Sequence, residues 1–368
     1  MYLNELKVRN FRNYEQAHLC PDPGVNLILG ENAQGKTNLL EAIFYLSTGH
    51  GFRTRKEAEL IRFGAEFADL EAVVQAEDRE RTLRAVLFEG RRPRQLFLGG
   101  VKEKSFNALR GTLTTVLFCP EDLMVLKAGS AQRRKLLDTA LCQLRPGYER
   151  ALTEYQKLLE QKSRILKDHH EEPYLLDLLP EYNLRMAQVG AMLIGYRANY
   201  LDKLNRLTEQ YHREFSGGKE QLRLTFKTVS TVSDPKAGRE AIMEAIRAHQ
   251  ESHYRAELEA GQCLSGPHKD DFEVELDGVS LKSFGSQGQT RTASISMKLA
   301  ERQIFREDTG AEPVLLLDDV LSELDAKRQD FVLNHITSGQ VFITCCETDK
   351  LTQLGKVIKV EKGQIVGG

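Results

Sequence analysis

No stretch of the 368-residue sequence approaches the roughly 18 consecutive apolar residues needed to span a bilayer. Nor does the first segment hold an unbroken secretory leader core, because Glu5, Lys7 and Arg9 interrupt Met1 to Phe11. A cytoplasmic protein with no membrane partner is therefore expected. Cysteine is sparse, confined to Cys20, Cys119, Cys142, Cys263, Cys345 and Cys346. None of these forms a CxxC pair, and no His cluster stands at zinc-ligand spacing, so they read as reduced structural thiols without a cysteine-built metal site. Charge of one sign is not in excess either. The formal net charge of −2 removes any general attraction to nucleic acid. Any DNA binding must then come from a local basic surface, formed in an assembled state. Internal repeats and low-complexity tracts are missing, and 41% hydrophobic with 28% charged residues excludes disordered and collagen-like chains. The length suits about two domains.

The chain changes character along its length. Leu6 and Val8 alternate with charged neighbours, and Val25 to Leu29 is an apolar run behind the turn Pro21-Asp22-Pro23-Gly24, both of which predict strands. Leu39, Leu40, Ile43 and Phe44 have helical spacing. Several strands and turns are expected over about 65–99. From about Ser130 to His212 glycine is scarce and leucine recurs at three and four, predicting helices broken near Pro146, Pro173 and Pro180. The segment is too short and interrupted for a long coiled coil. A further helix is expected over about 238–260, then strand-like sequence at Asp271 to Leu276. Helices over about 289–309 and 326–336 precede the apolar runs Val314 to Leu317 and Val341 to Thr344, or separate them. Short apolar runs alternating with helices predict a mostly parallel sheet covered on both faces, hence an α/β fold.

Gly30-Glu31-Asn32-Ala33-Gln34-Gly35-Lys36-Thr37 fits GxxxxGK[ST], placed between a strand and a helix, and with Asn38 is expected to bind the nucleotide. Glycines let backbone N–H groups close around phosphates, and the helix adds its positive end. Lys36 is expected to reach the β- and γ-phosphates of ATP, and the Thr37 hydroxyl to coordinate Mg²⁺. Val314 to Leu317 ends in Asp318-Asp319. Beside a phosphate loop, Asp318 is expected to hold Mg²⁺ and Asp319 to orient or deprotonate the attacking water; otherwise the two acids are a helix cap. Ser283 to Arg291 contains Ser286-Gln287-Gly288-Gln289, either an anion receptor at a helix N-terminus or a flexible linker.

These elements, in this order, resemble the ABC ATPase class. Ser286-Gln287-Gly288-Gln289 looks like its signature loop, which would make Ser286 and Gln289 contacts to the γ-phosphate held by another subunit. Ser322-Glu323-Leu324-Asp325 looks like its D-loop. Longer strings narrow the resemblance to the RecF family within the Rad50, SMC and RecF group: Leu6 to Tyr14, Gly30 to Ile43, Phe118 to Leu123 with Arg133-Arg134 and Leu137-Asp138, Gly266 to Asp271, Gln287 to Thr292 and Leu317 to Asp325. The resemblance implies an ATPase head built from 1–128 and 261–368, interrupted by a helical arm (lobe II) over 129–260. It also implies an ATP-dependent homodimer that acts on single-stranded, gapped or junction DNA. With RecR and RecO, such a protein helps load RecA in DNA repair, replication restart and the SOS response, with ATP hydrolysis as a weak, switch-like activity. Arg12 resembles the group's N-terminal arginine; it is a nucleotide contact or a surface charge. The Rad50-like nuclease-associated ATPase and the transporter coupling subunit are the alternatives, and both are disfavoured by the length and helical composition of the insertion.

Two features of the class are missing. A His normally follows the last core strand, where this chain has Thr344-Cys345-Cys346-Glu347, leaving Thr344 as the candidate γ-phosphate contact. No Q-loop Gln stands near Cys119-Pro120-Glu121. His268 and Lys269 are site residues or turn residues. Arg53, Arg55 and Lys56 form a DNA surface or a solvated face, and Arg91-Arg92-Pro93-Arg94 reads as a hairpin tip.

Overall fold

The computed structural model describes residues 1–54, 56–76, 79–346 and 352–367. The chain divides into two compact units: Met1–Met124 with Ser294–Gly368, and Val125–Ala293. Arg55 and Glu347 lie outside the described residues.

In the first unit, a six-stranded sheet runs in the order Gln364–Gly367, Lys356–Glu361, Val25–Leu29, Val341–Cys345, Val314–Leu317, Thr115–Phe118. Every pairing is parallel except that of the two C-terminal strands. The strands Thr115–Phe118, Val314–Leu317 and Val341–Cys345 are buried at every position, as a sheet covered on both faces requires. The N-terminal strand Val25–Leu29 sits between two strands from the chain's other end, so both ends of the sequence complete one sheet.

A second, antiparallel sheet carries Tyr14–Leu19, Tyr2–Phe11, Phe67–Ala76, Arg79–Phe88, Gln95–Leu98 and Val101–Glu103 in that order. Its strands alternate buried and half-buried positions, as in Phe67–Ala76. One face therefore joins the core while the other meets water. The helix Lys36–Thr48 packs against strands of both sheets. Eleven of its thirteen residues are buried, Lys36 and Glu41 among them, so the helix is enclosed nearly all round rather than on one stripe.

The second unit holds the helices Ser130–Leu144, Pro146–Asp168, Leu179–Ser216 and Arg239–Ala260. Pro146 and Pro180 fall in the first turns of their helices, where a missing N–H costs nothing. Leu179–Ser216 runs for 38 residues, about 57 Å at 1.5 Å per residue. Gly217 and Gly261 close their helices in the left-handed conformation.

This unit continues past the expected boundary at 260, to Ala293. The strand Asp271–Leu276 pairs along its whole length with Leu222–Lys227, a strand not anticipated within the helical segment. Those ladder hydrogen bonds bind residues 271–276 to the helical unit. The helix Gln287–Thr309 then returns the chain to the first unit. Among the described residues, no helix is long and apolar enough to cross a membrane.

Candidate functional site

The strand Val25–Leu29 delivers the chain to Gly30, and the helix begins at Lys36 with Gly35 as its N-cap. Both glycines are dictated by close approach. A Cβ on Gly30 would stand 2.4 Å from the Val360 carbonyl oxygen; on Gly35, at φ +121°, it would stand 2.8 Å from Asn13 Nδ2. Around the loop lies a bracing shell. Asn13 Nδ2 donates to the Gln34 carbonyl at 2.9 Å, Asn38 Nδ2 to Asn13 Oδ1 at 2.9 Å, and the Tyr14 hydroxyl to the Gly35 carbonyl at 3.1 Å. Lys362 N donates to Gln34 Oε1 at 2.6 Å and Gly363 N to the Gln34 carbonyl at 3.0 Å. Lys36 is 4% exposed and folds its ammonium over the loop, donating to the carbonyls of Gly30 (2.7 Å) and Glu31 (3.1 Å) and to Cys346 Sγ (3.2 Å).

The carboxyl ends of the parallel strands converge here, the place where open α/β sheets bind ligands. Thr37 Oγ1 donates to Asp318 Oδ1 at 2.8 Å, joining positions 281 apart in sequence. Thr344 Oγ1 donates to the same oxygen at 3.0 Å and accepts from Asp319 N at 2.8 Å. Thr344, near the end of the strand between Val25–Leu29 and Val314–Leu317, thus joins the Asp318 carboxylate to the Asp319 backbone. Burial pushes the Asp318 carboxyl above its ordinary range, and the two hydroxyls pull it back. Asp319 takes the left-handed conformation, φ 50°. It lines a cavity of about 260 Å³ with Glu31, Asn32, Ala33, Gly35, Lys36, Thr37, Asn38 and Arg53.

A larger cleft of about 840 Å³ shares Asn38 and Arg53 with this cavity and adds Arg12, Glu59, Arg62 and Phe63 among its walls. Arg12 is anchored by the fully buried Glu41, whose Oε2 accepts from Arg12 Nε at 2.8 Å and whose Oε1 accepts from Arg53 N at 3.2 Å. Arg53, weighed from the sequence as a DNA-facing or solvated charge, therefore lines both cavities beside the phosphate loop. Lys56 is exposed. Arg91 to Arg94 lie in the hairpin loop between Arg79–Phe88 and Gln95–Leu98, as expected, but Arg94 turns inward. Its guanidinium reaches the Tyr45 hydroxyl at 3.1 Å, the Gly49 carbonyl at 2.7 Å and the Glu57 carboxylate.

Ser286 and Gln289 belong to the second unit. They form a reciprocal cap at the start of the helix Gln287–Thr309, in place of a flexible linker. Ser286 N donates to Gln289 Oε1 at 3.0 Å, and Gln289 N donates to Ser286 Oγ at 3.2 Å. Asp325 caps the helix Ala326–Asn334, accepting from Arg328 N. His268, in the second unit, is a half-buried turn residue. Its Nδ1 takes the Tyr155 hydroxyl at 2.9 Å and its Nε2 meets the Cys263 carbonyl at 3.0 Å. Lys269 is exposed.

Sequence reasoning missed Asn13, Tyr14, Glu41, Arg53 and Cys346 as parts of the site. Asn13, Tyr14 and Glu41 lay within the family-like strings Leu6 to Tyr14 and Gly30 to Ile43, and Cys346 beside Thr344, but nothing in those strings assigned them a role.

The arrangement offers backbone and lysine donors to phosphates, an oxygen pair to a hard cation, and an acid beside them. The RecF/RecN/SMC N terminal domain family matches residues 2–366. The DNA replication and repair protein RecF of Acetivibrio thermocellus is 37% identical over 351 residues, covering 95% of this chain and 94% of that protein. The chain belongs to the RecF family. The RecF of Agathobacter rectalis is 36% identical over 369 residues, 99% of each chain. A solved structure of the recombination mediator protein RecF-ATP in the RecFOR pathway is similar with a TM-score of 0.91 at 35% identity, covering 99% of this chain and 96% of that one. An Smc head domain from Pyrococcus furiosus, bound to the C-terminal domain of ScpA, shares the fold, with a TM-score of 0.56 at 16% identity over 99% and 95% of the two chains. The α/β fold is that of RecF-family and SMC ATPase heads.

Proposed function

We propose that the chain binds and slowly hydrolyses ATP as the switch of a cytoplasmic, DNA-binding homodimer that mediates recombination. The observation that carries this reading is the contact between Thr37 Oγ1 and Asp318 Oδ1, 2.8 Å, next to the phosphate-loop lysine. A hydroxyl and a carboxylate at hydrogen-bond distance are hard oxygen donors of the kind Mg²⁺ takes, together with water and substrate phosphates. The residues present fit that cation. Mg²⁺ held by Thr37 and Asp318 would neutralise charge on the β- and γ-phosphates.

The protein groups supply the rest. Lys36 turns its ammonium from the Gly30 and Glu31 carbonyls to the phosphates, while N–H groups from Glu31 to Asn38 cradle them. Asp319, on the wall of the 260 Å³ cavity, orients the attacking water and accepts its proton. Arg12 faces the nucleotide from the adjoining cleft. Ser286 and Gln289 of a second copy cap the γ-phosphate, so that two nucleotides hold two chains together. Thr344 engages the Asp318 carboxylate and the Asp319 backbone N–H, and no His follows it in the sequence, which supports slow turnover. The RecF-ATP relative supports ATP as the nucleotide. The RecF relatives support a role in DNA repair and replication. In that role the dimer recognises gaps and duplex–single-strand junctions and, with RecR and RecO, helps load RecA during repair and the SOS response. In this reading Met1–Met124 with Ser294–Gly368 serves as head and Val125–Ala293 as arm.

Light scattering tests it, with no nucleotide, ADP or ATP–Mg²⁺, each with and without gapped DNA, on wild type and Lys36→Met. The expected result is a dimer with ATP alone, strengthened by DNA and lost in the variant. A monomer under every condition overturns the switch. A dimer indifferent to DNA overturns the DNA role and keeps the nucleotide one.

A further inference from the structure

Away from the phosphate loop, three metal-binding side chains converge on one face of the antiparallel sheet. His18 lies on the strand Tyr14–Leu19, Cys20 directly follows it, and Glu5 belongs to the neighbouring strand Tyr2–Phe11. Leu6 pairs with Leu19 and Lys7 with His18. One further step of that antiparallel register sets Glu5 against Cys20, and the two-residue period places His18 and Cys20 on the same face. Glu5 also follows a bulge: the register with Phe67–Ala76 slips between Leu3 and Glu5, and bulges re-aim the side chains beside them.

The three groups meet at one ring nitrogen. His18 Nε2 is 2.6 Å from Glu5 Oε1 and 3.6 Å from Cys20 Sγ. All three ligand atoms lie within 4.8 Å of one another. A nucleophile–base–acid relay would use the two imidazole nitrogens separately, so shared use of Nε2 points to a common ligand instead. The remaining Glu5 oxygen accepts from Lys7 Nζ at 2.9 Å, which orients the carboxylate and leaves Oε1 on the His18 side. Lys356 Nζ donates to the Cys20 carbonyl at 3.0 Å and holds that backbone.

We propose that Glu5, His18 and Cys20 form a transition-metal site that takes Zn²⁺, with solvent as the fourth ligand. Zinc bonds of about 2.0–2.3 Å in a tetrahedron set neighbouring ligand atoms about 3.3–3.8 Å apart. His18 Nε2 and Cys20 Sγ, 3.6 Å apart, already stand at that spacing, and the Glu5 carboxylate must back away from the imidazole, from 2.6 Å, to reach it. One oxygen, one nitrogen and one sulfur suit zinc and exclude Mg²⁺ and Ca²⁺, which take oxygen sets. On binding, the metal replaces the Cys20 thiol proton, which leaves to solvent, and the imidazole keeps its proton on Nδ1. Sequence spacing hid this group because Glu5 reaches His18 and Cys20 only through strand pairing. The site is separate from the Thr37–Asp318 pair. It clips two strands together just ahead of the turn that leads to Val25–Leu29 and the phosphate loop.

The test uses the full-length chain, stripped with a chelator and free of nucleotide. Equilibrium dialysis with Zn²⁺ should retain one equivalent in the low-micromolar range. Co²⁺ should add a thiolate-to-metal charge-transfer band in the near ultraviolet. His18→Ala and Cys20→Ser should each weaken zinc by at least about tenfold, since even outer-shell changes at zinc sites cost that much. Cys20→Ser should also remove the cobalt band, whereas Cys346→Ser, at another exposed thiol, should change neither. Wild-type protein that retains no zinc through the micromolar range overturns the proposal. So does a cobalt band that survives Cys20→Ser. Should a variant misfold, the wild-type cobalt spectrum decides alone.

Discussion

Replacing His268 by glutamine should flatten the acid limb of the stability curve. Burial pushes this imidazole down to about 4, from an ordinary 6.5, because a charged ring would sit in the interior between Tyr155 and the Cys263 carbonyl. The Cys263 hydrogen bond offsets part of this, while Lys269 and Lys162 add to it. With the folded-state value depressed, the unfolded chain takes up the proton first. The stability that rests on the neutral ring is therefore present above pH 6.5 and lost as pH falls towards 4. Between pH 7 and pH 5 the unfolded state gains RT ln(1 + 10^(6.5−pH)) while the folded state gains almost nothing, a loss of about 2 kcal/mol. Glutamine can still accept from Tyr155 and donate to Cys263, but it does not titrate. Urea denaturation of both proteins at the two pH values isolates the effect. His212 and His249, also depressed by burial, contribute equally to both proteins and cancel. The wild type should lose about 2 kcal/mol more than the variant, with m unchanged. Equal losses would mean that His268 titrates normally in the folded protein, and the neutral pin would be refuted.

Two further predictions concern the loop and the second unit. Gly35→Ala places a Cβ 2.8 Å from the Asn13 amide at φ +121°; it should cost about 1–3 kcal/mol and weaken ATP binding, as read by denaturation and by titration with a fluorescent nucleotide. Lys162→Met strips the partner from Glu257, which is 1% exposed, pairs with Lys162 Nζ at 2.6 Å and accepts the N–H groups of Leu264 and Ser265; a loss of about 3–5 kcal/mol in urea denaturation is expected, and a loss under 1 kcal/mol would mean that solvent reaches the pair.

Parts of this protein whose interactions are local can be read along the chain. The phosphate loop is one, because its glycines, lysine and helix start are contiguous and its conformation follows from backbone freedom at Gly35. The short apolar strands Val314–Leu317 and Val341–Cys345 are another, since burial on both faces leaves an unbroken hydrophobic run. The helices Pro146–Asp168 and Leu179–Ser216 announce themselves through leucine spacing and prolines in their first turns. The strand Leu222–Lys227 was missed although Leu222, Leu224 and Phe226 alternate with polar residues; what the chain did not show is its partner some fifty residues later, Asp271–Leu276.

Within the site the division is the same. Residue types alone marked Lys36, Thr37, Asp318 and Asp319 as candidates, because few chemistries use that set. That Thr37 and Asp318 share a hydrogen bond, that Thr344 joins the Asp318 carboxylate to the Asp319 backbone, that Cys346 touches Lys36 and that Glu41 anchors Arg12 were decided only by strand order. Val25–Leu29 lies between strands from the far end of the chain, and parallel pairing aligns their carboxyl ends. Glu5 meets His18 and Cys20 for a like reason, through antiparallel register. Composition and local pattern determined which elements form and which chemistry they can carry. Long-range pairing, invisible to any window of sequence, determined which side chains meet.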